Sequence, residues 1–173
     1  MLFEFIAALA AGLALAGIAM GLRWLTRGLL PKWIIPASAG LGMLTFAIWS
    51  EYSWFERVTR TLPQATVVWN NEDRSLLRPW SYLRPVVTRF TAVDHATAQR
   101  HERFPDQVML DVILWARWQP PVRVRVAFDC ARNQRADLMG SGVSIAEDGS
   151  ITGATWQDLP EEDPALVAAC KGS

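Results

Sequence analysis

Two long apolar stretches, Leu2 to Leu22 and Trp33 to Ser50, fill most of the first 50 residues, and the only charges between them are Arg23, Arg27 and Lys32. A bilayer core of about 30 Å takes roughly 20 helical residues at 1.5 Å rise. The first stretch, charged only at Glu4 near its outer end, is long enough to span. The second is nearer the lower limit, but Pro31 suits the first turn of a helix and no breaker follows Ser50 before Pro63. The expectation is a transmembrane hairpin over residues 1–61, with spans at 2–22 and 31–50 and a second helix that projects about two turns beyond the bilayer.

Basic residues in short loops stay cytoplasmic, whereas long domains are translocated largely regardless of charge. The loop is therefore expected inside, with both termini outside. Aromatic rings fall at two depths, Trp24 and Trp33 near the loop and Trp49, Tyr52, Trp54 and Phe55 at the far boundary, as two interfacial belts require. A cleaved signal peptide is the competing reading of the first stretch. The small residues around Ala14 and Ala16 resemble a cleavage site, but a basic n-region is missing and the positive charges lie on the other side.

Residues 62–173 are enough for one small domain with its own core. Segments rich in β-branched and aromatic residues recur at Ala65–Trp69, Pro85–Val93, Val108–Trp118 and Val122–Cys130, with turn chemistry at Asn70 to Asp73, Pro105-Asp106 and Pro120-Pro121. A weaker strand is expected over 131–139, then a turn at Gly140-Ser141-Gly142 and a hairpin turned at Glu147-Asp148-Gly149-Ser150. Trp115 and Trp118 are expected on opposite faces of one strand. Asp163 as N-cap and Pro164 as first residue announce a C-terminal helix, closed by Gly172. The fold class is an α+β membrane protein: a two-helix transmembrane hairpin, then a small antiparallel β-rich extracytoplasmic domain with a C-terminal helix.

Both cysteines lie in the part placed outside, where disulfides persist. Cys130 ends an alternating run in which Val122, Val124, Val126 and Phe128 share its face, and Cys170 shares a helical face with Leu166 and Val167. A structural Cys130–Cys170 bridge follows. A redox pair or metal site is disfavoured because no C-x-x-C arrangement or neighbouring histidine is present. The strand ending Phe-Asp-Cys130 and the helix ending Ala-Ala-Cys170 resemble small disulfide-stapled bacterial envelope domains. That resemblance implies a bacterial inner membrane with a periplasmic domain, and carries no function.

The 17 basic and 17 acidic residues balance but are unevenly placed. Arginines dominate from Arg74 to Arg135, and acidic residues from Asp137 to Asp163. One reading is that the basic part meets anionic headgroups or an acidic partner. The other is that the two parts neutralise each other across the domain. Nucleic acid is not expected, for want of a stacking motif or a concentrated Lys/Arg stripe.

Arg78-Pro-Trp80-Ser-Tyr82-Leu-Arg84 combines extended backbone with aromatic and cationic groups of the kind enriched at binding hot spots, so Arg78, Trp80, Tyr82 and Arg84 are candidate partner contacts. The competing account has Trp80 and Tyr82 in the core or at the membrane surface. His95 and His101 sit in a polar stretch read as a loop or exposed helical turn, with too few ligands for zinc. No cofactor motif, phosphate loop or catalytic constellation is present, so an enzyme is not expected. In the hairpin, Gly17 and Gly21 form a GxxxG pair and Ser38 and Gly42 a second small-residue strip. Two helices share one interface, so one strip is left for another membrane protein or a second copy. The expected function is a non-catalytic accessory or assembly subunit of a larger integral membrane complex. The alternative is a membrane-tethered binding or sensing module.

Overall fold

Uninterrupted apolar sequence becomes helix on both sides of a tight connection. Helix α1 runs Leu2–Leu25 and helix α2 Ile34–Arg60. The first stops where Arg27 and Gly28 turn left-handed, at φ 52° and 86°, a conformation that ends helices. The Arg23 guanidinium donates to Leu30 O at 2.9 Å and braces the turn. Helix α2 begins at Ile34, later than the Pro31 start expected from the sequence. The reason is Pro36, which lacks an N–H: starting at Ile34 keeps it in the first turn, whereas a start at Pro31 would place it where its missing donor and ring cost about 3 kcal/mol.

The computed structural model describes residues 2–140, 142–146 and 149–171. The chain divides into two units, Met1–Phe55 and Glu56–Ser173, the division falling within α2. Both long helices have the length and composition to cross a membrane, and only 11% of the most apolar window of each is buried. The core helix of a water-soluble protein would be mostly covered. These helices leave Leu2, Phe3, Leu13, Ile18 and Leu41 outward, which is compatible with membrane insertion.

In the second unit the strands are β1 (Ala65–Asp73), β2 (Val86–His101), β3 (Phe104–Ala116), β4 (Val122–Asp129), β5 (Gln134–Asp137), β6 (Ser144–Ile145), β7 (Ile151–Thr152) and β8 (Trp156–Asp158). They form an antiparallel half-barrel in the order β1-β2-β3-β4-β5-β8, with β6 and β7 as a separate ribbon. Every neighbour in the large sheet is antiparallel. Helix α3 (Pro164–Lys171) packs on β1 to β4.

Alternation decides what the helix covers. Val108, Leu110 and Val112 of β3 lie beside Phe128, Val126 and Val124 of β4, and these close with Val93 onto Leu166 and Ala169 of α3. The Asp163 carboxylate accepts from Ala165 N at 2.9 Å and Leu166 N at 3.1 Å, the N-cap expected from the sequence. Cys130 and Cys170 are bridged, with Cα atoms 5.9 Å apart, and both border this core. Asp129, buried beside Cys130, accepts from Ala131 N, Arg132 N and the Gln107 amide, holding the turn in which the cysteine sits. Ser141, Glu147, Asp148 and Gly172, named in the expected turns and helix stop, lie outside the described residues.

Several strand assignments change: Asn70 to Asp73 and Pro105-Asp106, expected as turns, lie within β1 and β3, where pairing with β2 carries Asn70 to Asp73 on as strand. The polar stretch Asp94 to His101 is neither loop nor helical turn but the second half of β2. Asp94 pairs with Asp111 and Gln99 with Met109, so four residues, 95–98, stand opposite Leu110 alone and bulge. Thr97 fills the gap, donating to Asp94 O and accepting from Asp111 N at 2.8 Å. Gln99 to His101 pair with β3, while in the bulge His95 N donates to Gln64 O and Ala96 N to the Asp94 carboxylate, and this satisfied backbone outweighs poor strand propensity. Strand β3 ends at Ala116, so Trp118 lies in the following turn, where Arg117 stacks over it, while Trp115 stacks on Phe90.

Candidate functional site

In the hairpin the helices approach at Gly12 and Gly42. A Cβ on Gly42 would stand 2.7 Å from Ala11 O, and one on Gly12 would stand 2.7 Å from Met43 Cε and 3.1 Å from Ala39 O. Gly12, Ala19 and Gly42 are buried. At the outer end Ser50, also buried, donates to Glu4 Oε1 at 3.1 Å. Ser38 lies one turn before Gly42, and its hydroxyl is bonded back to Ile34 O and Ile35 O in its own helix.

Gly17 and Gly21 do not meet the partner helix: a Cβ on either would touch nothing within 4 Å. At roughly 100° per residue, Gly17 sits about 140° around α1 from Gly12 and Gly21 about 180°. Of the four small residues singled out from sequence, the structure therefore brings Gly42 to the contact and leaves Gly17 and Gly21 on the opposite face. Gly12 was missed. Its signal is the spacing to Ala19, seven residues on, which holds one seam along a helix pair.

In the β domain the segment between β1 and β2 is built around one serine. Ser81 is 1% exposed. Its hydroxyl accepts from Ser75 N at 2.9 Å and donates to Arg78 O at 2.7 Å. Ser75 and Arg78 form a β-bridge, and Pro79–Tyr82 is a turn of 3-10 helix. Bonds Leu83 N to Trp80 O and Arg84 N to Trp80 O complete the knot. The backbone is satisfied inside, so the side chains point out. Leu76, Leu77 and Leu83 are 86%, 90% and 92% exposed.

Of the contacts proposed from sequence, Tyr82 and Arg84 are exposed while Arg78 and Trp80 are half-buried, so neither ring enters the core. The three leucines were missed. Their signal was an apolar residue beside each arginine, Leu77 before Arg78 and Leu83 before Arg84.

This segment shares an end of the half-barrel with the β3–β4 turn. Arg78 lines a shallow cleft with Arg89, Arg117 and Trp118. Beside it a groove of about 360 Å³ runs between Trp69, Leu114, Trp115 and Val122. Register explains the groove: Trp69, Thr91, Leu114 and Val122 are successive partners in one row across four strands, beyond the core that α3 covers. All but Thr91 are exposed apolar side chains.

Charge is handled locally. Arg123 pairs with Asp94 at 3.2 Å and Arg125 with Asp111 at 3.0 Å. These partners lie within the arginine-rich part of the chain, so neither pair joins the basic part to the acidic one. His95 Nε2 lies 2.9 Å from Thr66 Oγ1, and His101 Nδ1 accepts from Arg103 N. Among the described residues no group of three or more His, Cys, Asp or Glu side chains is placed to hold a metal ion. No protein-family model matches the chain, and no curated protein or solved structure is significantly similar to it.

Proposed function

We propose that the protein is a non-catalytic accessory or assembly subunit of a larger bacterial inner-membrane complex. In this reading the hairpin docks laterally on the complex and the β domain braces its periplasmic side. The observation that carries it is the unused face of α1: the hairpin closes through Gly12 and Gly42, and Gly17 and Gly21 stand free on the other side. Small residues let helix backbones approach closely within a membrane.

Extraction in mild detergent followed by native electrophoresis tests it. The wild-type chain is expected in a much larger particle, and Gly17→Ile with Gly21→Ile is expected to release it without unfolding the hairpin. A small particle from wild-type membranes overturns the reading. The exposed leucines between β1 and β2 support a second one, a membrane-tethered binding or sensing module. It predicts that Trp80→Ala abolishes binding while the fold persists.

A further inference from the structure

We propose that the segment Arg74 to Arg84 is an interfacial anchor: Leu76, Leu77 and Leu83 enter the boundary of an anionic bilayer while Arg74, Arg78 and Arg84 meet its phosphates. This deepens the second reading by naming its ligand class. It rests on taking α1 and α2 as membrane spans.

Three observations point to lipid. The leucines stand almost fully exposed, Leu76 and Leu77 as neighbours and Leu83 apart, on a segment tied to Ser81. A protein partner would need surfaces shaped to them, whereas a fluid acyl boundary accepts exposed leucines without shape complementarity. Residues 72–93 hold Arg74, Arg78, Arg84 and Arg89 against Glu72 and Asp73, Asp73 lining the same cleft as Arg78 and Arg89; the balance is basic, and basic groups beside apolar ones are attracted to anionic leaflets. Tyr82 and Trp118, exposed at the same end, have the amphipathic rings that favour the headgroup depth.

The test uses the full chain, with its native disulfide, in nanodiscs of phosphatidylcholine alone or with phosphatidylglycerol. Leu77→Cys carries an environment-sensitive fluorophore, and Leu13→Cys, on α1, carries the same label as a control for insertion. With phosphatidylglycerol the Leu77 label is expected to shift to the blue and to be quenched by lipids spin-labelled near the headgroup. Arg74→Gln and Arg84→Gln are each expected to lower its bound-to-free ratio about fivefold at low salt.

An aqueous, iodide-accessible Leu77 label beside a lipid-quenched Leu13 label overturns the anchor and leaves the spans standing. A Leu13 label that lipid cannot quench overturns the membrane reading itself. Equal shifts in both lipid compositions overturn the anionic assignment. Protection seen only in native membranes assigns the segment to a protein partner and overturns the lipid one.

Discussion

Replacing Cys130 and Cys170 together by alanine tests how the β domain holds its helix. The bridge joins residues separated by 40 positions. In the chain-entropy model a loop of that length removes roughly 13 cal/mol/K from the unfolded chain, about 4 kcal/mol at 25 °C. Domains of this size are stable by about 5–15 kcal/mol, so the reduced domain still folds but loses a large share of its margin. At roughly 4 °C per kcal/mol the melting temperature should fall by about 15 °C.

The assay is near-UV circular dichroism of the full chain in detergent, read as the difference between the bridged and bridge-less chains on heating, because that signal reports packed aromatic rings, among them the stacked Phe90 and Trp115 of the β domain, rather than backbone helix content. Leu166 and Ala169 of α3 pack against Val93, Val108, Leu110, Val126 and Phe128, apolar contacts that do not involve the sulfurs and are expected to persist without the bridge. Leu166→Ala should therefore cost about 2–5 kcal/mol in both backgrounds. A shift below about 5 °C, against the size scaling, refutes the entropic argument. So does a silent Leu166→Ala in the bridge-less chain, which would mean that the disulfide acts only by keeping α3 attached.

Gly42→Ala drives a methyl group toward Ala11 O, 2.7 Å from the ideal Cβ. It should destabilise the hairpin by about 1–3 kcal/mol, read by steric trapping or unfolding in mixed micelles, while Gly17→Ala leaves that stability unchanged. Asp163→Ala removes the acceptor of two amides at the start of α3 and should cost about 1 kcal/mol in thermal melts. Ser81→Ala strips the bonds to Ser75 N and Arg78 O. It should cost about 1–3 kcal/mol and speed hydrogen exchange at the Ser75 amide, with α3 amides unaffected.

Much of the architecture was legible because its signals are local. The alternation from Val124 to Cys130 states its own buried face, although Val122 at its start is exposed beyond the core, and Asp163-Pro164 states where α3 begins. What stayed hidden depended on a distant partner. Asp94 to His101 has the composition of a loop, yet it extends β2 because β3 lies beside it and a bulge at Thr97 absorbs the excess length. Pro36 moved the start of α2, a local effect that a single proline rule applied to Pro31 had overlooked. At the candidate site the arginines and aromatics were visible as residue types. The exposure of Leu76, Leu77 and Leu83 was not, because Ser81 had to be recognised as the buried centre that turns them outward.

The sequence by itself determined that the chain begins with two long apolar helices, continues as antiparallel strands and ends in a capped helix with a cysteine on its packed side. Hydrophobic run length, two-residue alternation and capping chemistry act within a few positions, so each is complete in the chain that carries it. Only the tertiary structure decided which glycines of the hairpin touch. A GxxxG pair fixes a strip along one helix but not its rotation toward a neighbour, and the seam through Gly12 and Ala19 turned Gly17 and Gly21 to the opposite face. The apolar, arginine-rich end of the half-barrel was decided in the same way. Its residues come from β1, β2, β3, β4 and two connections, and only strand register brings them to one surface.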